Sequence, residues 1–314
     1  MITAPRRRTS RALLAAGALG VTALLAGCAG GDPLATGTEQ PTTDAPAGSI
    51  VIGSQDYYSN EIIAEIYAQA LEADGVEVQR DFRIGAREVY MPEVEAGDID
   101  LLPEYTGNAL QYFDPEATQT DPQEVYDALS GVLPEGIRLL TMAEATDQDS
   151  YNVTQEFSEE YGVTSLADLA GIDKSPIILG GNPEINERPY GPDGLLEIYG
   201  VEVEVQNIKD SGGPLTIEAL KNGTVDMADV YSADPNIAAN DLVTLEDPEN
   251  MFLPQNVVPL ASENITDEMA ATIDEVSAAL TTEQLIALNA LSVNEQMNAD
   301  DIAAQWLSDQ GLVG

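Results

Sequence analysis

Short apolar runs alternate with segments of helical periodicity along most of the chain. Residues 50–52 predict a buried strand, and apolar side chains at helical spacing over residues 62–71 predict a helix that is capped by Ser59 and stops at Gly75. The alternation continues with a strand at 76–84, a helix at 87–95, a strand at 99–102 and closing helices from residue 265. Strand and helix in alternation indicate an α/β fold with parallel sheets.

One sequence pattern occurs twice. Each copy has a Gly, a β-branched residue, an Asp and then a Tyr followed by a hydroxyl residue. The copies are Gly97-Asp98-Ile99-Asp100-Leu101 with Tyr105-Thr106, and Gly223-Thr224-Val225-Asp226-Met227 with Tyr231-Ser232. The repeat predicts two similarly built α/β lobes, each with a Tyr at the carboxyl end of a strand, where open α/β sheets bind ligands. We therefore expect Tyr105 and Tyr231 to meet across a cleft.

The first residues have the composition of an export signal. A basic stretch with four arginines precedes an apolar run at residues 12–26, and no acidic residue occurs before Cys28. This pattern predicts a signal peptide over residues 1–27, because the run is too short for a transmembrane helix. Leu25-Ala26-Gly27-Cys28 is typical of a bacterial lipobox. We therefore expect an extracytoplasmic protein that lipidated Cys28 anchors to the cell membrane, exported by the general or the twin-Arg route.

The mature chain is predicted to consist of a tether and two lobes. Residues 28–48 are rich in Gly, Ala, Thr, Pro and Asp without periodic apolar positions, which is typical of a flexible tether. Lobe 1 is predicted to comprise residues 49–147 and 254–314, and lobe 2 residues 148–253. The crossings between the lobes are expected near residues 142–151 and 251–259.

Composition excludes several classes of function. The chain of 314 residues has 12 Lys and Arg against 55 Asp and Glu, no His and one Cys, for a formal charge of −43. His-dependent catalysis and His-ligated metal sites are excluded, and the negative charge argues against nucleic-acid binding. The sequence contains no phosphate-binding loop, calcium loop or catalytic motif. We expect no catalytic residue, metal or cofactor, and hence a binding protein rather than an enzyme.

Tyrosines supply the remaining candidate chemistry. Aromatic faces attract cations, and quaternary ammonium groups in particular, because these cannot donate hydrogen bonds. Tyr67, Tyr161 and Tyr199 occupy helical positions at which packing is the better interpretation. The tyrosines at strand ends are the better candidates for a site.

Several motifs along the chain resemble the osmoprotectant ABC-transporter substrate-binding proteins, which take up glycine betaine, choline and carnitine. The motifs are Ile52-Gly53-Ser54, Pro103-Glu104-Tyr105-Thr106-Gly107, Glu187-Arg188-Pro189 with Tyr199-Gly200, and Lys221-Asn222-Gly223 with Tyr231-Ser232. The resemblance implies a type II periplasmic binding protein fold, with two α/β lobes joined by two crossover strands and a ligand cleft between them. It also implies an ABC permease and its ATPase subunit as partners, and we expect the protein to be a monomer.

The resemblance also implies the site. Tyr105, Tyr151 and Tyr231 would form an aromatic cage around an ammonium group, Asp149 would face the same cation, and Arg188 would pair with a ligand carboxylate. The sequence departs from the family's usual residues at four positions: Gln55 for Lys, Asn60 for Gln, Asn108 for Thr, and Asn207 near the usual place of a fourth Tyr. Tyr57 and Tyr58 are the candidates for the missing wall.

Alternatives exist for individual residues and for the function. Arg188 is alternatively a surface or hinge ion pair, and Tyr151 a packing residue of a crossover strand. The same fold is also compatible with another zwitterion such as ectoine or an amino acid, with an exported carboxylate-dependent hydrolase, or with a sensor or adhesion lipoprotein that has no permease.

The acidic surface leads to a first prediction. Solvated carboxylates with few lysines repel one another, and salt shortens the range of that repulsion. The thermal midpoint of the protein should therefore rise between low salt and about 1 M salt. Calorimetric melting checks this, and a flat or falling midpoint would contradict it.

Overall fold

The computed structural model describes residues 48–313. The predicted signal peptide, Cys28 and the tether up to residue 47 lie outside the described residues. Two five-stranded sheets form the two lobes. Their strands are β1 (Ile50–Gly53), β2 (Val78–Asp81), β3 (Leu101–Tyr105), β4 (Ile137–Leu139), β5 (Tyr151–Thr154), β6 (Ile177–Gly181), β7 (Val203–Asn207), β8 (Met227–Asp229), β9 (Leu242–Thr244) and β10 (Val257–Ser262).

The two sheets have the same plan. The first has the order β2-β1-β3-β10-β4 and the second β7-β6-β8-β5-β9. The first three strands in each order are parallel to one another. The fourth strand, β10 or β5, runs antiparallel to both of its neighbours. The two-lobed α/β fold class predicted from the sequence is thereby confirmed.

Helices cover both sheets. The first lobe carries α1 (Tyr58–Ala73), α2 (Arg87–Ala96), α3 (Thr106–Phe113), α4 (Pro122–Val132), α9 (Asp267–Ala279), α10 (Thr282–Glu295) and α11 (Ala299–Gln310). The second lobe carries α5 (Gln155–Tyr161), α6 (Pro192–Gly194) with a π-helical continuation Leu195–Tyr199, α7 (Pro214–Lys221), α8 (Asn236–Ala239), and the 3-10 segments Leu166–Gly171 and Pro183–Glu187.

Helix α1 is the centre of the first lobe. It packs against α9, α10 and α11, and its apolar side chains share one core with Ile273, Leu285 and Trp306. Its N-cap is Tyr57, two residues before the predicted cap Ser59. The prediction was wrong because the Ser59 hydroxyl donates a hydrogen bond to Asp147 Oδ2 at 2.9 Å instead of capping the helix.

Hydropathy gives one finding about membranes. Within residues 48–313 no single helix is long and apolar enough to cross a membrane. The pair α9 and α10 passes on length and composition together, but the two helices meet at 90° and bury their apolar side chains in the core of the first lobe.

The internal repeat corresponds to a repeated hydrogen-bond pattern. Asp100 Oδ2 accepts from Val51 N and Asp226 Oδ2 accepts from Ile178 N, both at 2.9 Å. The backbone N–H of each Asp donates in return to the same neighbouring strand residue, at 2.8 Å and 2.9 Å. Each Asp therefore fixes the start of a central strand, β3 or β8, against its parallel neighbour. Tyr105 and Tyr231 lie at equivalent ends of these strands.

Two connections join the sheets side by side. Residues 140–150 lead from β4 to β5, and residues 245–256 lead from β9 back to β10. They hydrogen-bond to each other, with Asp147 N donating to Gln255 O at 3.3 Å, and Val257 N at the start of β10 donates to Ala145 O at 2.9 Å. The polar residues at the end of the first connection consequently lie at the junction of the lobes.

Candidate ligand-binding site

A cavity of about 490 Å³ lies between the two lobes. Its walls come from the segments that follow β1, β2, β3, β6, β7 and β8, and from the first connection between the sheets. This is the carboxyl edge of the parallel strands, where α/β sheets bind ligands. Eight of the sequence-predicted site residues line it: Gln55, Tyr57, Tyr58, Tyr105, Asn108, Asp149, Arg188 and Tyr231.

Three tyrosine rings form one wall of the cavity. The ring of Tyr57 lies 4.9 Å from that of Tyr231 and 6.4 Å from that of Tyr105, measured between centroids. Tyr57 therefore lies against both repeat tyrosines. It is one of the two residues, with Tyr58, that the sequence offered as a further aromatic wall. Tyr58 also lines the cavity, and its hydroxyl donates to Asp234 Oδ2 at 3.0 Å.

Three aspartates form the acidic side of the cavity. Asp147, Asp149 and Asp229 are 4–9% exposed. Burial raises the pKa of Asp147 to about 7, with the negative charges of Asp234 and Asp149 adding to the shift and hydrogen bonds from Ala233 N and Ser59 opposing it. Burial, followed by the negative charge of Asp149, raises the pKa of Asp229 well above its ordinary value.

Asn108 positions Asp149. Its side-chain amide donates to Asp149 Oδ2 at 2.7 Å, and its own Oδ1 accepts from Gln255 Nε2 at 2.7 Å. Helix α3 approaches the second connection closely here, since a Cβ on Gly107 would lie 2.7 Å from Pro254 O. Glycine at this position lets Asn108 reach both connections at once.

The arginines of the cavity are paired with glutamates. Arg87 forms a buried bidentate pair with Glu104, at 2.7 Å and 3.0 Å, and the Tyr90 hydroxyl donates to the same carboxylate. Arg188 of the second lobe pairs with Glu88 of α2 in the first lobe, at 2.5 Å and 3.3 Å. This contact is an ion pair between the two lobes, which is the kind of contact that the alternative interpretation of Arg188 names.

Two predicted site residues lie away from the cavity walls. Tyr151 is buried in the core of the second lobe, where its ring packs against Phe252 at 5.1 Å and its hydroxyl donates to Tyr190 O at 2.5 Å. Asn207 lies at the exposed end of edge strand β7, and its Oδ1 accepts from Asn186. The packing interpretation of Tyr151 is the one that matches its surroundings.

Sequence reasoning did not identify several residues that line the cavity, among them Asp147, Tyr190, Lys209 and Asp229. The sequence carried a signal for Asp229, because Asp229-Val230-Tyr231 repeats the spacing that singled out Asp149 before Tyr151. Tyr190 likewise follows the Arg188-Pro189 motif directly. Asp147 had no local signal, since its burial depends on Ser59 and Ala233, which are distant in the sequence.

The fold and the site together define a two-lobed substrate-binding protein. The two lobes have the same sheet order, two hydrogen-bonded connections join them, and an aromatic cavity lies between them. The chain belongs to the family of substrate-binding domains of ABC-type glycine betaine transport systems (OpuAC), whose model matches residues 48–309. The family resemblance inferred from the motifs is thereby confirmed.

Relatives and solved structures agree with this assignment. The glycine betaine-binding protein YehZ of Escherichia coli K12 is 29% identical over 84% of this chain and 92% of its own length. The glycine-betaine-binding protein of Pseudomonas aeruginosa is 26% identical over 86% and 90%. A crystal structure of a glycine betaine/carnitine/choline ABC transporter superposes with a TM-score of 0.68 at 21% identity, over 84% of this chain and 99% of that one.

The raised pKa of Asp147 leads to a prediction about stability. The folded protein binds a proton at Asp147 up to a pH of about 7, whereas the unfolded chain releases it near the ordinary value of 3.8. The stabilisation from this proton is complete below the unfolded pKa and is lost as the pH rises through the folded pKa. The unfolding free energy of the unchanged protein should therefore fall between about pH 5 and pH 8. In Asp147→Asn that fall should be smaller by roughly 2 kcal/mol.

Urea unfolding of the ligand-free protein at a series of pH values measures this difference. The control is Asp56→Asn, which removes an exposed carboxylate at the same cavity. Parallel curves for the Asp147→Asn variant and the unchanged protein would show that Asp147 does not bind this proton.

Proposed function

We propose that this chain is the extracytoplasmic solute receptor of an ABC importer and captures a quaternary ammonium compound of the glycine betaine, choline and carnitine class. The observation that carries the proposal is a cavity between two lobes that is lined both by the rings of Tyr57, Tyr105 and Tyr231 and by buried carboxylates. Membership of the glycine betaine transport family supports the same ligand class.

The wall suits a cation that cannot donate hydrogen bonds. A quaternary ammonium group is attracted by the negative faces of aromatic rings, with roughly 0.5–2 kcal/mol from each contact. Three rings would supply a large part of a micromolar affinity, which corresponds to about 8 kcal/mol. The carboxylates beside them attract the same positive charge over a longer range.

Capture would proceed by closure of the two lobes on the ligand. The paired connections at residues 140–150 and 245–256 supply a hinge, and the ion pair between Arg188 and Glu88 joins the lobes on the open side of the cavity. Closure of two domains around a ligand about a few hinge residues is a common mechanism of ligand capture. The closed form would dock on the permease, and the ATPase subunit would drive uptake.

Anchoring and assembly are part of the proposal. Lipidated Cys28 would hold the protein at the outer face of the cell membrane, and a tether of about 20 residues would span roughly 25 Å. The two lobes of a single chain supply all the residues that line the cavity, so a monomer suffices for binding.

The ligand should be released unchanged. The pair Asp149 and Asp229, with one raised pKa, is the feature that an exported hydrolase would require. Family membership favours binding without turnover. Incubation of the protein with glycine betaine, choline and carnitine, followed by mass spectrometry, tests this point, and a new product would establish an enzyme.

Removal of a cage ring should weaken binding. Tyr57→Ala, Tyr105→Ala and Tyr231→Ala should each lower the affinity for the bound quaternary ammonium compound at least about tenfold, or about 1.4 kcal/mol. Titration calorimetry measures the affinity, and circular dichroism checks the fold. Tyr161→Ala is the matched control, because Tyr161 packs on Phe157 outside the cavity. Unchanged affinity in a cage variant would remove that tyrosine from the site.

Loss of the ion pair between the lobes should speed ligand release. Glu88→Gln breaks the pair with Arg188 across the cleft, and we expect the dissociation rate to rise roughly two- to fivefold at low salt. The effect should shrink as salt screens the exposed pair. Stopped-flow release kinetics measure the rate.

The control for this experiment is Glu72→Gln, which breaks an ion pair with Arg80 within the first lobe. An equal change in both variants would show that the contact between Glu88 and Arg188 has no particular role in closure.

A further inference from the structure

The charged groups of the cavity are unevenly distributed. Six carboxylates and four cations line it: Asp56, Asp147, Asp149, Glu184, Asp210 and Asp229 against Arg83, Arg87, Arg188 and Lys209. Equal numbers of positive and negative side chains would suit a zwitterion, which has one positively and one negatively charged group. Burial raises the pKa values of Asp147 and Asp229 and so reduces their share of the negative charge. The balance is nevertheless negative, because glutamates outside the cavity pair with three of the four cations.

Three of the four cations already form ion pairs with glutamates. Arg83 pairs with Glu61, Arg87 with Glu104 and Arg188 with Glu88, and none of these three glutamates lines the cavity. A ligand carboxylate would have to share its arginine with a glutamate, whose negative charge repels it, or displace that glutamate and leave it without its partner. For the buried Glu104 that loss is costly, since an unpaired buried charge is strongly destabilising.

Lys209 is the exception among the four cations that line the cavity. It forms no ion pair within the described residues, but its side chain is exposed to solvent. Water and salt screen a charge in that position, so its attraction for a ligand carboxylate is weak.

The buried carboxylates, in contrast, have no cationic partner among the described residues. Asp147 accepts from Ser59 and Ala233 N, and Asp149 accepts from Asn108, all of which are neutral donors. Asp229 Oδ1 is buried at the cavity without any hydrogen-bond partner within residues 48–313. Within the same residues no set of three acidic side chains has the spacing of a metal site. An organic cation fits the charge better than a metal ion.

Gln55 supplies a neutral donor. Its side chain is 8% exposed and lines the cavity, and its Nε2 has no hydrogen-bond partner within the described residues. An amide N–H suits a hydroxyl or ether oxygen, whereas a carboxylate is better served by a cation, because charge-assisted hydrogen bonds are roughly twice as strong as neutral ones.

We infer that the cavity selects a quaternary ammonium alcohol, a cation without a carboxylate, over the zwitterionic betaines. Tyr57, Tyr105 and Tyr231 would contact the ammonium group, Asp149 and its acidic neighbours would balance the positive charge, and Gln55 Nε2 would donate to the hydroxyl oxygen. The inference rests on the proposed function and names the subclass of ligand within it.

Titration calorimetry with choline and glycine betaine as probes tests the inference, using the chain from residue 28 with Cys28→Ser. Choline should bind at least about tenfold more tightly than glycine betaine. Equal or tighter binding of glycine betaine would overturn the inference and leave the proposed function intact. Absence of binding by either probe, with a folded protein, would overturn the proposed function as well.

Two variants test the mechanism of selection. Asp149→Asn should weaken the binding of choline more than that of glycine betaine, and so reduce the ratio of their affinities severalfold. Gln55→Lys should raise the affinity for glycine betaine and lower that for choline, because it adds a cation inside the cavity. Asp98→Asn, at an exposed carboxylate outside the cavity, should change the ratio less than about twofold.

The two variants are independent readouts. If Asp149→Asn does not fold, Gln55→Lys still decides the question, since Gln55 Nε2 has no hydrogen bond within the described residues to lose. An unchanged affinity ratio in Gln55→Lys would contradict the assignment of Gln55 to the carboxylate-free end of the ligand.

Discussion

The site depends on carboxylates that are buried at the junction of the lobes without a cation beside them. Charged groups are rarely buried unless they are paired, because desolvation is costly. Here Ser59, Asn108 and Ala233 N satisfy Asp147 and Asp149 with neutral donors, and burial raises the pKa of Asp147. The cost of desolvation is thus stored in the ligand-free protein, and a bound cation would relieve it.

The same hydrogen bonds hold the hinge together. Asp147 connects the first crossing to α1 through Ser59 and to the segment after β8 through Ala233 N. Asn289 of α10 donates both to Ser59 Oγ, at 3.1 Å, and to Ala233 O, at 3.0 Å. The network therefore joins both lobes at Asp147, one of the buried carboxylates of the cavity. Ligand charge and lobe geometry are coupled through these few contacts.

Much of this architecture could be predicted from local patterns. The apolar alternation predicted the α/β class, and the repeat predicted two similarly built lobes with Tyr105 and Tyr231 at the carboxyl ends of strands. Long-range pairing could not be read in the same way. Tyr151 is the first residue of β5, and the antiparallel pairing of β5 with β8 and β9 buries its ring in the second core. The burial of Asp147 depends on residues that are 88 and 86 positions away.

In the proposed function, the ligand is recognised by its positive charge against aromatic rings and carboxylates rather than by the shape of three methyl groups. Titration calorimetry with choline and with its uncharged carbon isostere 3,3-dimethylbutan-1-ol separates these contributions directly. Choline should bind, and the isostere should bind at least about a hundredfold more weakly, or about 2.8 kcal/mol. Comparable affinity for the two molecules would contradict this prediction, since packing alone would then explain binding.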